Sequence, residues 1–306
     1  MLYNSTLDAI GNTPLIKLNH IIEDDCADIY IKYEAINIGG SIKTRTAFNM
    51  IKKAEEDGLL HKDSIIVECS SGNQGIALAL IGAIKGYKVE IVMPDSVSIE
   101  RRKIIKQYGA EIILVKDNGN IGECIEKCQE IVNEKAKNNP NVFIPGQFDN
   151  PANIEAQKQT AKEILNDLKD IDGFCSGIGT GGTLTGIGQV LKENNPNIII
   201  WAIEPENAAI LSGKKILTHN QMGIGDGIIP SILDLNIYDE ICIVNDEEAI
   251  SMAKRLTKEE GLLCGISSGS NVVGALRLAK KLGKGKKVLT ILPDTGERYY
   301  STPLFE

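Results

Sequence analysis

"SIIVECSSGNQGIALALIGAIKGYKVEIVMP", residues 64–94, is the stretch that decides the fold class of this chain. Both of its ends are short apolar runs rich in Ile and Val, which are typical of buried strands. A longer apolar segment between them predicts a buried helix, and Gly and Ser residues separate the three parts. A strand, a helix and a second strand in this order predict a parallel βαβ unit.

The same alternation continues along the rest of the chain. Further predicted strands are "AEIILV" at 110–115, "IIIWAI" at 198–203 and "KKVLTIL" at 286–292, with helical segments between them. A segment rich in Pro, Gly and Asn at 145–153 predicts a domain boundary. We therefore predict an α/β protein of two parallel-sheet domains with a ligand-binding cleft between them.

Composition narrows the classes of function. The 306 residues carry a net charge of −8, which disfavours a nucleic-acid-binding surface or an anionic-membrane surface. The longest apolar runs are too short to span a bilayer, and the first residues lack the pattern of a signal peptide. Seven cysteines without CxxC spacing and three histidines without ligand spacing predict reduced thiols, a cytoplasmic location and no metal site.

Three glycine-rich turns open predicted helices. In "NIGGSIKTR" at 37–45, Lys43 lies in the first helical turn, which disfavours a charged lysine and suits an amine nucleophile or base. In the turn at 70–74, hydroxyls and backbone amides can bind a carboxylate or phosphate, although Ser71 or Asn73 can also simply cap the helix. The third turn, "GIGTGGT" at 177–183, offers successive amides and hydroxyls to one phosphate.

The third turn also leaves an alternative open. Gly177, Gly179 and Gly182 satisfy the GxGxxG pattern of dinucleotide-binding folds, and Glu204 follows the motif about twenty residues later. An NAD-dependent dehydrogenase is therefore a rival interpretation. It gives no role to Lys43 or to the turn at 70–74.

Taken in order, the turns resemble those of the cysteine synthase and cystathionine β-synthase family. These are fold-type-II enzymes, similar to the tryptophan synthase β subunit, that depend on pyridoxal 5'-phosphate (PLP). The resemblance runs from "IGNTPLIKL" to "LPDTGERYYSTPLFE". It implies two parallel-sheet α/β domains with PLP in the cleft. A smaller mobile substrate-binding domain, residues 35–145, would move against a larger PLP-phosphate-binding domain, residues 1–34 plus 146–306.

The resemblance also implies roles for individual residues. Lys43 would form the Schiff base with PLP and act as the catalytic base. Other expected cofactor-binding residues are Asn73, Gly179, Thr180, Gly181, Gly182, Thr183 and Ser267. The expected substrate-binding residues are Ser70, Ser71, Asn73, Gln74, Gln147 and Asp226. Gln74 stands where the family often has threonine.

The implied activity is β-replacement or β-elimination at the β-carbon of L-cysteine or O-acetylserine, by way of an aminoacrylate. One alternative consumes L-cysteine and releases hydrogen sulfide, giving L-serine or lanthionine. The other is a cysteine synthase that makes L-cysteine from O-acetylserine and sulfide. A non-catalytic binding protein on this scaffold is a further alternative. The expected partners are a small amino-acid substrate, a second copy in a homodimer and the tail of serine acetyltransferase.

Asp226 bears on the choice between these activities. It is the only charge in "MGIGDGIIP" at 222–230, where the family usually has alanine or tyrosine. The simpler interpretation is a turn aspartate that points to water. In a substrate pocket, however, partial burial would raise the pKa of the carboxyl, and the ionised group would repel hydrosulfide and act as a base toward water or a thiol. We therefore predict that Asp226 is catalytic and favours sulfide release.

Overall fold

The computed structural model describes residues 2–70, 72–118 and 121–306, which form two sheets with helices on their faces. The strands are β1 Leu15–Lys17, β2 Asp28–Tyr33, β3 Ile65–Cys69, β4 Lys88–Pro94, β5 Glu111–Val115, β6 Val142–Phe143, β7 Gly173–Gly177, β8 Ile199–Pro205, β9 Glu240–Val244 and β10 Lys287–Leu292. The helices are α1 Lys43–Glu56, α2 Asn73–Lys85, α3 Ile99–Gln107, α4 Ile121–Asn138, α5 Ala152–Asp167, α6 Gly182–Asn194, α7 Asp246–Glu260 and α8 Ile266–Leu282.

Both sheets are built from strand–helix–strand units. The smaller sheet has the order β5-β4-β3-β6, and all of its neighbouring strands are parallel. The larger sheet has the order β1-β2-β10-β7-β8-β9. Its strands are also parallel, except that β1 pairs antiparallel with β2 at the edge. This edge differs from the prediction of purely parallel sheets, because β1 and β2 follow each other in the chain with no crossover helix between them.

Helices cover both faces of each sheet, which explains why the strands are apolar throughout. The smaller sheet packs against α1, α2 and α3 on one face and against α4 on the other. The larger sheet packs against α5 and α6 on one face and against α7 and α8 on the other. The predicted α/β fold class is confirmed. Within the described residues, no helix is both long enough and apolar enough to cross a membrane.

The strands of the smaller sheet all lie within residues 65–143, and those of the larger sheet come from residues 15–33 and 173–292. These positions fall on either side of the predicted boundaries. The movement of residues 35–145 over a substrate stays a prediction.

A buried ion network fixes the start of α1, which packs against both α2 and α5. The Arg45 guanidinium donates to the Glu34 carboxylate at 2.9 Å and to the Glu163 carboxylate at 2.6 Å. Lys32 forms an ion pair with Glu163 at 2.9 Å. Buried charges that are paired and hydrogen-bonded in this way hold a defined geometry. The network therefore anchors the helix that begins at Lys43 to β2 and to α5.

Candidate active site

A cleft lies at the carboxyl ends of β3, β7 and β10, where parallel α/β sheets commonly bind ligands. The glycine-rich turns that the sequence singles out meet there. The predicted site residues that line the cleft are Lys43, Ser70, Asn73, Gln74, Gln147, Gly179, Thr180, Gly181, Thr183, Asp226 and Ser267. Gly182 lies behind this lining, at the start of α6. Ser71 lies outside the described residues.

Lys43 is the first residue of α1, and its side chain enters the cleft. Its Nζ lies 3.4 Å from the Thr180 hydroxyl. Burial lowers the pKa of Lys43, while the nearby carboxylates of Asp226 and Glu68 offset part of this effect. A lowered pKa increases the neutral fraction of the amine, which is the form that acts as a nucleophile or accepts a proton.

Two glycines of the turn before α6 pack so closely against neighbouring residues that neither can carry a side chain. A Cβ on Gly179 would lie 2.4 Å from the Gly223 carbonyl oxygen, and a Cβ on Gly182 would lie 2.3 Å from Asn153 Oδ1. Thr180, Gly181 and Thr183 line the cleft beside the amino end of α6. Free amides at a helix start bind phosphate readily. The turn therefore fits the phosphate of the cofactor that the resemblance implies.

The turn before α2 is organised by the Ser70 hydroxyl. Its oxygen accepts the backbone N–H groups of Gly72 at 3.2 Å and Gly75 at 3.0 Å. Ser70 thus caps α2, and Asn73, one of the two caps of the simpler interpretation, is the first helical residue. The Ser70 hydroxyl proton remains a donor toward the cleft.

Gln74 is buried in the first turn of α2 and lines the cleft. Its Nε2 lies 3.8 Å from Met50 Sδ, and its Oε1 has no hydrogen-bond partner among the described residues. Because amide nitrogen and oxygen are interchangeable by a rotation, turning this amide presents its N–H donors where Oε1 now lies. Gln74 therefore holds an unpaired polar atom in the wall of the cleft, among the described residues.

Asn73 is the first residue of α2, and its amide is held from two sides. Its Nδ2 donates to Asp294 Oδ2 at 2.7 Å, and its Oδ1 accepts a hydrogen bond from the Arg298 guanidinium. The sequence interpretation missed both partners. They follow the carboxyl end of β10, in the motif "LPDTGER", and a charged pair directly after a buried strand could have pointed to them.

Gln147 lies on the loop between β6 and α5 and lines the cleft. Its Nε2 lies 3.4 Å from the Cys69 carbonyl oxygen. Its backbone carbonyl oxygen accepts a hydrogen bond from Asn153 Nδ2 at 2.9 Å. Asn153 Nδ2 also donates to the Thr180 hydroxyl at 2.9 Å. Asn153, which the sequence interpretation missed, therefore connects the Gln147 loop with the turn before α6.

Glu68, behind this loop, is another residue that the sequence interpretation missed. It is buried near the end of β3, and its carboxylate accepts the Gly146 N–H at 3.0 Å. Burial raises the pKa of Glu68 to about 8, although backbone N–H groups lower it in part. A carboxylate within the apolar strand "IIVEC" was the sequence feature that could have revealed it.

Asp226 also belongs to the cleft wall. Its Oδ2 lies 3.4 Å from the position that a Cβ on Gly179 would take, so it faces the turn before α6. Burial raises the pKa of Asp226, and the positive charges of Lys43 and His219 oppose that rise. The carboxylate makes no hydrogen bond to another described residue. Its two oxygens are therefore free to accept from a ligand.

Ser267 lies in the first turn of α8, is buried and lines the cleft. Its hydroxyl makes no hydrogen bond to another described residue, so it can meet a polar ring atom. Glu204, in contrast, does not line this cleft. Its carboxylate accepts from the N–H groups of Leu211 at 2.8 Å and Ser212 at 3.2 Å. The Glu204 carboxylate therefore binds the loop after β8. This removes the support for the ribose-binding role that the NAD-dependent interpretation gave it.

Known proteins are similar to this chain in sequence and in fold. The family model described as "Pyridoxal-phosphate dependent enzyme" matches residues 6–294. A cysteine synthase of Staphylococcus aureus is 47% identical over 299 residues, which are 97% of this chain and 95% of that protein. The structure of a hydrogen sulfide-producing enzyme from Fusobacterium nucleatum matches with a TM-score of 0.92 at 42% identity, covering 97% of this chain and 100% of that one. An O-ureido-L-serine synthase structure matches with a TM-score of 0.93 at 40% identity, covering 100% and 96%.

Proposed function

The chain belongs to the family of pyridoxal-phosphate-dependent enzymes, and from this premise we propose that it consumes L-cysteine and releases hydrogen sulfide. The resemblance to cysteine synthases, the PLP cofactor and the enzyme class that the sequence predicted are confirmed. The nicotinamide and binding-only alternatives have no remaining support. What the proposal adds is the choice of leaving group and acceptor.

Some residues of the cleft would bind the cofactor, and others would bind the substrate. The turn from Gly179 to Thr183 would hold the PLP phosphate, with Asn73 and Ser267 at the ring. Bound PLP supplies an aldehyde that takes up an amine and a ring that accepts electrons when a carbon beside that amine loses its proton. The neutral amine of Lys43 takes this proton from the substrate and returns it later. The amino end of α2, with Gln74 and Gln147, would hold the substrate carboxylate.

One observation carries the choice of reaction: the Asp226 carboxylate lies in the cleft wall, within electrostatic reach of Lys43. A carboxylate there repels hydrosulfide, the acceptor of the synthetic reaction, but it can take a proton from a neutral acceptor. With water as acceptor, L-cysteine and water give L-serine and hydrogen sulfide. With a second cysteine thiol, two L-cysteine molecules give lanthionine and hydrogen sulfide.

A cysteine synthase activity is the second candidate, because the curated relative at 47% identity carries that name. The experiment compares purified enzyme with L-cysteine alone and with O-acetylserine plus sulfide, and it measures sulfide and the amino-acid product. We expect faster release of sulfide from L-cysteine than synthesis of L-cysteine. The opposite order of rates would leave an ordinary cysteine synthase.

Asp226→Ala tests the residue behind this choice. We expect sulfide release from L-cysteine to fall by about 10²–10⁴-fold, the usual contribution of a general base. Binding of L-cysteine, followed by the change in cofactor absorption, should persist. Asp234→Asn is the matched control, because Asp234 accepts an N–H group from Asn236 at 2.9 Å and does not line the cleft. Unchanged sulfide release in Asp226→Ala would overturn the assignment.

We also propose that the enzyme is a cytoplasmic homodimer whose residues 35–145 close over the substrate. All seven cysteines are free, which fits a reducing compartment. The tail of serine acetyltransferase remains a proposed partner. Sedimentation of the purified protein, alone and with a peptide of that tail, tests the dimer and the partner together.

A further inference from the structure

The amide of Asn73 has one defined orientation because its two partners differ in kind. The Asp294 carboxylate only accepts hydrogen bonds, so it must face the amide nitrogen, at 2.7 Å. The Arg298 guanidinium only donates, so it must face the amide oxygen. Both partners are almost fully buried, at 0% and 2% exposure. One hydrogen of Asn73 Nδ2 is thus committed to Asp294, and the other is left for a group in the cleft.

Arg298 also reaches the loop that leads to Lys43. Its Nη2 donates to the Gly39 carbonyl oxygen. A Cβ on Gly40 would lie 2.9 Å from the same Nη2, so this glycine makes room for the guanidinium. One side chain therefore connects the amino end of α2 with the loop before α1. Gly40 of "NIGGSIK" thereby has a structural reason that the sequence alone did not give.

Asp294 also contacts the side chains of Tyr299 and Arg101. Asp294 Oδ2 accepts the Tyr299 hydroxyl at 2.8 Å and lies 3.9 Å from the Arg101 guanidinium. Arg101 stacks on the Tyr299 ring, with 4.9 Å between its Cζ and the ring centroid, and donates to the Tyr299 hydroxyl at 2.9 Å. Two buried guanidinium groups thus face one buried carboxylate.

We propose that Asp294 and Arg298 are positioning residues that act through Asn73 on the ring oxygen of bound PLP. They keep the Asn73 nitrogen directed at that oxygen, and Arg298 couples this amide to the loop that carries Lys43. The proposal rests on the cofactor and on no particular leaving group or acceptor. A protein that fails to release sulfide from L-cysteine would leave it intact.

Arg298→Lys tests the proposal, since lysine keeps the charge but one ammonium cannot replace a planar fork that contacts Asn73 and Gly39 together. The measurements are the PLP dissociation constant and the balance between the two absorption bands of bound PLP, which report the protonated and ionised ring oxygen. Both are made without substrate. We expect binding about tenfold to a hundredfold weaker, as for the loss of a hydrogen bond to a charged group. The absorption should shift toward the protonated form.

The double variant with Asn73→Ala separates a positioning role from a general loss of stability. If Arg298 acts through Asn73, the two single substitutions shift the absorption in the same direction, and the double variant shifts it no further. Additive effects on the dissociation constant, or an unchanged constant and spectrum in folded Arg298→Lys, would overturn the proposal.

Two further variants complete the experiment. Arg277→Lys is the matched control, because Arg277 also bridges a carbonyl oxygen, that of Ile243 at 2.7 Å, and a side chain, that of Glu248, away from the cleft. We expect no change in PLP binding there. Where Arg298→Lys does not fold, Tyr299→Phe removes the hydroxyl that donates to Asp294 and accepts from Arg101, and it should weaken PLP binding in the same direction. Unaltered PLP binding in Tyr299→Phe would then count against the proposal.

Discussion

At the scale of single residues, Lys43 and Asp226 each favour the charged form of the other. Burial lowers the pKa of Lys43 and raises that of Asp226, and the attraction between their charged forms works against both shifts. These directions suit the proposed roles of Lys43 as a base toward carbon and of Asp226 as a base toward the acceptor. The sequence could predict both residues because each lies in a short motif. Their common place in one cleft came only from the family resemblance, because the two motifs are far apart in the chain.

The pH dependence of sulfide release follows from the state of Asp226. Only its ionised form accepts a proton, so kcat/KM for L-cysteine should rise with pH as the carboxyl, whose pKa burial raises, loses its proton. In Asp226→Asn the residual activity should lack this rising limb. The measurement is a pH profile of kcat/KM for both proteins. A rising limb of the same midpoint in Asp226→Asn would assign it to another group.

Gln74→Thr changes the proposed carboxylate contact without touching the turn before α6. Threonine is shorter, so its hydroxyl cannot reach the site of the Gln74 amide, and we expect an altered KM for the amino-acid donor. PLP affinity should remain near that of the unsubstituted protein. Steady-state kinetics and the cofactor spectrum together check this. A collapsed spectrum at constant KM would place Gln74 at the cofactor instead.

At the scale of elements, the starts of α1, α2 and α6 could be predicted because strand, turn and helix follow one another locally. The contacts that hold these starts together could not. Arg298 reaches Asn73 across 225 residues of sequence, and Glu68 reaches Gly146 across 78. No local pattern encodes such pairings, because the first depends on how the two sheets are placed side by side and the second on the pairing of β3 with β6. Asn153 was visible only as part of a predicted boundary.

Gly182→Ala tests the connection that Asn153 makes at the start of α6. The added Cβ would lie 2.3 Å from Asn153 Oδ1, so Asn153 must move and release Gln147 and Thr180. We expect PLP affinity to fall about tenfold, as for two hydrogen bonds of ordinary strength. Equilibrium titration with PLP gives the affinity.

Gly186→Ala, one turn further along α6, is the matched control for that substitution. Its Cβ would lie 2.5 Å from the Ile154 carbonyl oxygen, so it strains the packing of α6 on α5 without touching the turn. Both variants should lose stability by about 1–3 kcal/mol, the usual cost of overpacking. Only Gly182→Ala should lose PLP affinity. Equal losses of affinity in the two variants would show that helix packing alone controls cofactor binding.

At the scale of the whole molecule, the alternation of strands and helices fixes two sheets but not their mutual placement. Polar side chains supply that placement: Arg298 and Asp294 follow the larger sheet and hold the start of α2 beside the smaller one. The cleft is therefore bounded by buried charges that both sheets share. Their burial makes the stability of the molecule depend on their protonation.

The protonation of Glu68 sets the direction in which stability changes with pH, and this direction can be measured. The pKa of Glu68 rises from 4.5 to about 8 in the folded protein, chiefly through burial, with Asp149 as a nearby like charge and Lys43 as an opposite one. The folded state therefore binds the proton more tightly than the unfolded state. This contribution to stability is complete below pH 4.5 and is lost as the pH rises toward about 8.

Glu68→Gln should remove this part of the pH dependence, because glutamine can still accept the Gly146 N–H but does not titrate in this range. We compare the unfolding free energy of the unsubstituted protein with that of Glu68→Gln. The difference should fall by about 1.4 kcal/mol for each pH unit between pH 4.5 and about 8. Urea denaturation at a series of pH values measures it. Glu111→Gln, at an exposed position of β5, is the matched substitution for comparison. A flat difference for Glu68→Gln would mean that Glu68 keeps the same proton affinity on unfolding, and the buried carboxylate would then have no part in the pH stability of the cleft.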